Sequence, residues 1–387
     1  MDAEQRSPGI PDIFFSFLKL GATAFGGPAM VAHIRRMAVE RKHWLDEDTF
    51  RSGVALCQTI PGATAMQSCA YVGLRLKGVR GAAAAFSGFA LPAFLLITAL
   101  SALYIRFREL PLMVSAFGGL RVLIVAIIAN AAISFGRTYL KRWQDIALAL
   151  VAGALFWLGI SPMLVVPLSA LLGILLHWKV HATAGGLAPA RLSFPLRGIL
   201  IILGAAAIGL VILFVFDRRL LELSFLMLKV DLFAFGGGFA SVPLMLNEVV
   251  NTRGWMDQQT FMDGIALGQV TPGPVVITAT FVGYILKGLI GGVVATASIF
   301  LPSFILVIST APFLAKFNSS PLFRRAVDGI LCSFVGLLAC TAIRMGFAVS
   351  WTLPRILLSV AALTALLLRV DMLWIVLAGA GISVLIR

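Results

Sequence analysis

The chain has 387 residues, of which 60% are hydrophobic and 12% charged. A composition this apolar cannot cover a surface in water, so it excludes a soluble globular protein and indicates an all-α polytopic integral membrane protein that faces the lipid bilayer. The net charge of +14 does not point to nucleic acid, because Lys and Arg are scattered through short inter-helix loops, where anionic head groups account for them; some of this charge can also attract an anionic substrate.

The first apolar stretch, residues 10–27, has no basic leader and no Ala-x-Ala cleavage site, and reads as a retained span. Apolar stretches at 50–74, 79–105, 110–135, 146–160 and 163–178 complete a first set of six segments. A polar connector, 179–197, then leads into an apolar run at 199–216 that has no partner in the first set and reads as a linker helix. The second set runs 221–239, 261–286, 289–313, 326–347, 353–368 and 372–386. This divides the chain into a first repeat, 10–178, a connector with its linker helix, 179–218, and a second repeat, 219–387. Segments around Pro61 and Pro272 can be re-entrant and the last two of each set barely cross the hydrocarbon, so about 10 to 13 spans are expected.

The two sets say nearly the same thing. Lys19 and Ala24-Phe25-Gly26-Gly27 return 210 residues later as Lys229 and Ala234-Phe235-Gly236-Gly237. Trp44-Leu45-Asp46 returns as Trp255-Met256-Asp257, and Ala55-Leu56, Gln58 and Pro61-Gly62 as Ala266-Leu267, Gln269 and Pro272-Gly273. Leu76-Lys77-Gly78 and Leu91-Pro92 reappear as Leu286-Lys287-Gly288 and Leu301-Pro302. Two homologous halves in an apolar chain mark a secondary transporter with a pseudo-two-fold axis. An even number of crossings followed by one extra helix would insert the second half upside down. The Trp loops agree, since the first carries Arg35, Arg36, Arg41 and Lys42 and the second Glu248, Arg253 and Asp257.

Candidate binding groups sit where the helices break. Pro61-Gly62 and Pro272-Gly273 interrupt apolar segments, and proline both removes a backbone donor and disfavours helix at the residue before it. Such breaks are tolerated in a membrane only when buried in protein or lining a wet cavity. The half-helix that follows each break offers unpaired N–H groups to an anion. Thr64, just after the first break, adds a hydroxyl, and Gln58 and Gln269, three residues before each proline, can donate to an oxyanion without adding charge. The bland alternative is a pair of proline kinks whose glutamines cap freed carbonyls. Phe25, Gly26 and Gly27, with Phe235, Gly236 and Gly237, form the other paired element; consecutive glycines either expose N–H groups to an ion or serve close helix packing. Lys19 and Lys229 lie inside apolar spans, where an ammonium either pairs or snorkels to the interface. Asp231 faces Gly21 in the other half and breaks the symmetry, either neutralising Lys229 or carrying a coupling proton.

The duplicated Phe-Gly-Gly, Trp-x-Asp, Ala-Leu-x-Gln-x-x-Pro-Gly and Leu-Lys-Gly elements resemble the chromate ion transporter family in its long, two-domain form, over residues 10 to 386. The resemblance implies an exporter in the cell inner membrane that removes chromate, with sulfate as a related dianion, working as a monomer or homodimer. It departs at Pro28, which becomes Gly238, and at Pro274, which is Ala63 in the first half. No nucleotide-binding Gly-x-x-x-x-Gly-Lys-Ser/Thr loop appears, nor the acid/base pair or metal triad a membrane enzyme would need, so no cofactor is expected. Cys57, Cys69, Cys332 and Cys340 lack Cys-x-x-Cys spacing and read as small core residues.

Overall fold

The computed structural model describes residues 8–25, 27–176, 194–313, 320–368 and 370–385. The first half contributes α1 (Ile10–Thr23), α2 (Gly27–Arg35, continued by a π-helical turn, Arg36–Arg41), α3 (Glu47–Thr59), α4 (Thr64–Phe107), α5 (Pro111–Tyr139), α6 (Trp143–Trp157) and α7 (Pro162–Leu176). The linker is α8 (Leu196–Phe216). The second half repeats the order as α9 (Arg218–Phe233), α10 (Gly238–Met245, with a π-helical turn, Leu246–Thr252), α11 (Gln258–Val270), α12 (Thr278–Thr310), α13 (Pro321–Phe347), α14 (Leu353–Leu367) and α15 (Met372–Leu385). No strand occurs among the described residues.

The repeated motifs are the joints of this architecture. Asp46 caps α3 by accepting from the Thr49 N–H at 2.8 Å and the Thr49 hydroxyl at 2.8 Å, and Asp257 caps α11 through Thr260 in the same way. In its surface loop the Asp46 carboxyl is thereby held below its ordinary acidity range, chiefly by the Thr49 N–H. Leu-Lys-Gly is a hairpin turn: Lys77 and Lys287 leave helical geometry, and Gly78 and Gly288 both stand at φ +60°, where a Cβ would be strained. The arms on either side of each turn touch through glycine, since a Cβ on Gly73 or Gly81 would overlap the other's carbonyl oxygen.

Pro-Gly is a second kind of turn. Gly53 lies under the ring of Tyr71, and the Thr64 hydroxyl donates to the Cys57 carbonyl at 3.4 Å, so α3 and the first arm of α4 run antiparallel toward a tip at Ile60–Ala63. Gly264 against Phe281 and Gly268 against Thr278 fold α11 and α12 alike. These are re-entrant hairpins, not continuous spans. α1 also doubles back at its glycines, for the rings of Phe17 and Trp44 stand 6.5 Å apart. Half-length elements therefore account for much of the difference between the segments marked in the sequence and the five helices, among the described residues, that are long and apolar enough to cross a membrane: α4, α5, α8, α12 and α13.

The halves interlock. α5 packs on α14 and α15, while its counterpart α13 packs on α6 and α7 of the other half. Glycines make the second contact close: a Cβ on Gly329 would overlap the Ser169 carbonyl, and one on Gly336 the Ala149 carbonyl. Across the pseudo-two-fold axis, α4 meets α12, where the Phe86 ring lies 5.9 Å from Phe300 and 5.0 Å from Phe304.

α8 fixes the relative orientation of the halves. Its first turn seats Gly198 against Val79, beside the Lys77-Gly78 turn. At its far end, Asp217 pairs with Lys287, of the equivalent turn in the second half, at 2.7 Å. A 21-residue helix separates the two, so matching turns lie about 30 Å apart on opposite faces. The repeats are inverted. Cysteines placed in the Trp44 and Trp255 loops, after replacement of the native four, are accordingly expected to react with an impermeant thiol reagent from opposite faces; labelling from one face would contradict this arrangement.

Candidate anion-binding site

The helix breaks of the two halves meet at the centre of the molecule. The N–H of Gly62, at the tip of the first hairpin, donates to the Ala234 carbonyl at 2.9 Å, and the N–H of Gly273 donates to the Ala24 carbonyl at 3.0 Å. Each Pro-Gly tip is thus held by the glycine break of the opposite half. The φ values of Gly62 and Gly273, +115° and +111°, admit no side chain without strain. Gln67 braces the first tip by donating to the Pro61 carbonyl at 2.6 Å.

A cavity of about 750 Å³ opens beside these breaks. One wall is the N-terminus of α4, at Ala63, Thr64 and Ala65. Another is the N-terminus of α10, at Gly236, Gly237 and Gly238, and Pro274 and Val275 lead a third helical turn to the same space. A Cβ on Gly237 would lie 3.3 Å from the Thr64 hydroxyl, so two helix ends from opposite halves almost touch. First-turn N–H groups have no intrahelical acceptors, and helix dipoles add positive potential there. Gln58, Arg51, Val54 and Ala55 form one face of α3 along this space. Arg35 also lines it but is held by Glu47 at 2.9 Å and Glu40 at 2.7 Å. Arg51 makes no ion pair or hydrogen bond among the described residues. It is the unpaired fixed cation of the cavity wall.

The residues singled out in the sequence divide accordingly. Gln58, Thr64, Gly236 and Gly237 come together on the cavity. Pro61, Gly62, Pro272 and Gly273 form the two tips beside it. Gln269 is buried on the second-half side, and its Nε2 has no partner among the described residues, so the paired glutamines occupy unlike surroundings. Phe25 and Phe235 are half-buried, and Gly27 starts α2; Gly26 lies outside the described residues. Lys19 is exposed on α1 and, like Lys229, does not line the cavity. Lys229 instead pairs at 3.0 Å with Glu248, which Arg253 also holds. Asp231 therefore does not neutralise Lys229, since positions two apart on a helix point away from each other. Asp231 turns inward and accepts the Ser303 N–H at 2.7 Å.

Sequence reasoning passed over Arg51 although it stands seven residues before Gln58, a spacing that puts both on one helix face. It also passed over Arg121, an arginine inside an apolar span and hence a signal in itself. Arg121 grips Asp263 of α11 with two bonds of 2.7 Å and Gln259 with a third of 2.7 Å, while the Tyr104 hydroxyl donates to the same carboxylate at 2.8 Å. This cluster binds α4 and α5 of the first half to α11 on the face away from the cavity mouth. Ser52 and Leu331 hold the equivalent positions of Asp263 and Arg121, so no such clasp exists on the open side.

The family model described as chromate transporter matches residues 11–174 and again 221–384. The chain is 42% identical over 389 residues to an uncharacterized transporter of Methanocaldococcus jannaschii, covering 99% of this chain and 96% of that one. It is 32% identical to a chromate transport protein of Pseudomonas aeruginosa, over 92% of this chain and 85% of that one. It is also 32% identical to a chromate transport protein of Cupriavidus metallidurans, over 95% and 90%. No solved structure matches the chain. Two family-model matches that fall on the two inverted halves, and relatives aligned along almost the whole length, establish that this chain is a membrane transporter, not an enzyme, and belongs to the chromate transporter family.

Proposed function

We propose that the protein is a secondary transporter that exports chromate, with sulfate as a competing dianion, from the cytoplasm across the cell inner membrane. The observation that carries this reading is the meeting of the α4 and α10 N-termini with Gln58, Thr64 and Arg51 around one cavity. Such a site offers a tetraoxyanion N–H and hydroxyl donors in several directions and one unpaired positive charge. The names of the Pseudomonas and Cupriavidus relatives support chromate as the anion. The membrane potential is sufficient as a driving force: at about 2.3 kcal/mol per charge per 100 mV, expelling a dianion releases about 4.6 kcal/mol. An anion channel would use the same groups, but the clasp of Arg121 and Asp263 opposite the open mouth favours a carrier that exposes its site to one face at a time.

Uptake of labelled chromate into everted vesicles, with sulfate as competitor, tests this reading. Saturable uptake with counterflow is expected, and absence of chromate uptake would refute it. Gln58→Ala removes neutral donors and no charge, so uptake should fall about tenfold while expression and insertion persist. Unchanged uptake would leave the Gln-x-x-Pro-Gly element as a kink.

A further inference from the structure

Asp231 is fully buried, and its Oδ1 has no hydrogen-bond partner among the described residues. Its other oxygen accepts the Ser303 N–H at 2.7 Å, and the Ser303 hydroxyl in turn accepts the N–H of Ala63, on the cavity wall, at 3.0 Å. Three residues after Asp231 the helix ends at Ala234 and runs into Gly236 and Gly237 of the opposite wall. The carboxyl thus stands behind both helix ends that frame the anion site. Its counterparts in the first half are Gly21 and, for Ser303, Ala93. A Cβ on Gly21 would overlap the Phe89 carbonyl, so that half has no room for such a group.

No opposing charge reaches it. On α9 itself, Lys229 is engaged by Glu248, whose other oxygen Arg253 holds, and Arg218, Arg219 and Glu222 lie toward the other end. On α12, Lys287 is paired with Asp217 and Tyr284 makes no bond to Asp231; α8 carries Arg197 at its far end, and α10 has no ionisable residue. A metal cation needs several converging oxygens, whereas here one carboxylate oxygen already receives an N–H donor. A buried carboxylate with one bare oxygen and no cation binds a proton instead.

From this geometry, and resting on the reading of the cavity as an oxyanion site, we propose that Asp231 is the proton-binding site of the transporter, protonated on Oδ1 when the anion is bound. The step is one proton taken from solvent onto the carboxylate and returned when the anion leaves, with no other bond changed; released together outside, chromate and proton carry one net negative charge, so the membrane potential then supplies half of what it gives a bare dianion. The sign follows from electrostatics: a negative carboxylate behind the two helix ends opposes a dianion between them, and a neutral carboxylic acid does not. By reciprocity, anion binding must raise the proton affinity by the factor by which protonation raises anion affinity, here about tenfold.

The test is proton uptake when chromate is added to the purified protein in weakly buffered detergent solution. With tenfold coupling, wild type is expected to take up about half a proton per bound chromate at a pH between the midpoints of its free and chromate-bound forms. Asp231→Asn should bind chromate with no proton uptake and with affinity that no longer depends on pH, and Ser303→Ala should keep the uptake. Proton release, or equal uptake by Asp231→Asn, would overturn the assignment. If wild type binds no chromate, the substrate reading fails separately. The proton site is then judged by infrared titration, in which a carboxylic acid C=O band present in wild type and absent in Asp231→Asn is expected, and no such band at any pH that preserves the fold would refute it.

Discussion

Arg51→Gln is expected to reduce chromate uptake into everted vesicles by about tenfold to a hundredfold without loss of expression. Arg51 lines the cavity and has no ion pair or hydrogen bond among the described residues, and its charge reaches the fold only through a coulombic interaction with the partly exposed Glu47 one turn before it, so its removal should not disturb folding. A dianion entering the cavity sheds hydration that neutral donors alone rarely replace. A charge-assisted hydrogen bond is worth about 1.5 to 3 kcal/mol, which sets the expected range. Arg51→Lys should retain part of the activity, because the charge survives while the fork geometry does not. Lys19→Gln should matter less, since Lys19 stands away from the cavity. Wild-type uptake by Arg51→Gln would mean that the helix ends hold the anion alone.

Asp263→Ala is expected to destabilise the protein by about 3 to 5 kcal/mol, because it leaves the half-buried Arg121 guanidinium without its carboxylate. A lower thermal midpoint in detergent is the measurement. The double variant Arg121→Met, Asp263→Leu removes both charges and should recover most of that loss. It also removes the clasp between α11 and the first half. A cysteine replacing buried Gln269, in a background without the native cysteines, should then react with an impermeant reagent from the clasp face, whereas with the clasp intact it should stay protected. Equal protection in both backgrounds would show that Arg121 and Asp263 are structural and do not close the path.

Much of this architecture was legible because it depends on local backbone chemistry. Pro61-Gly62 and Pro272-Gly273 forecast breaks because proline cannot continue a helix, and the structure turns at both. Lys77-Gly78 and Lys287-Gly288 separated segments correctly, because only glycine takes the positive φ of those turns without strain. What was not legible is which element meets which. The exchange of α5 and α13 between halves depends on small-residue contacts such as Gly173 with Gly329, and nothing in the local pattern of either helix names its partner. The same holds for charge. Lys229 looked available because Glu248 lies 19 residues away and comes near only when α9 and its successor fold back on each other. Helical phase, by contrast, would have placed Arg51 beside Gln58.

Chromate is expected in one location, the gap where the α4 and α10 N-termini meet. Crystals of the protein soaked in chromate and measured at the chromium absorption edge would show that location directly in an anomalous difference map. The predicted result is a single peak within hydrogen-bonding reach of the Thr64 hydroxyl, the Gln58 amide and the Gly237–Gly238 backbone. A peak elsewhere, or none at a concentration that saturates uptake, would contradict it.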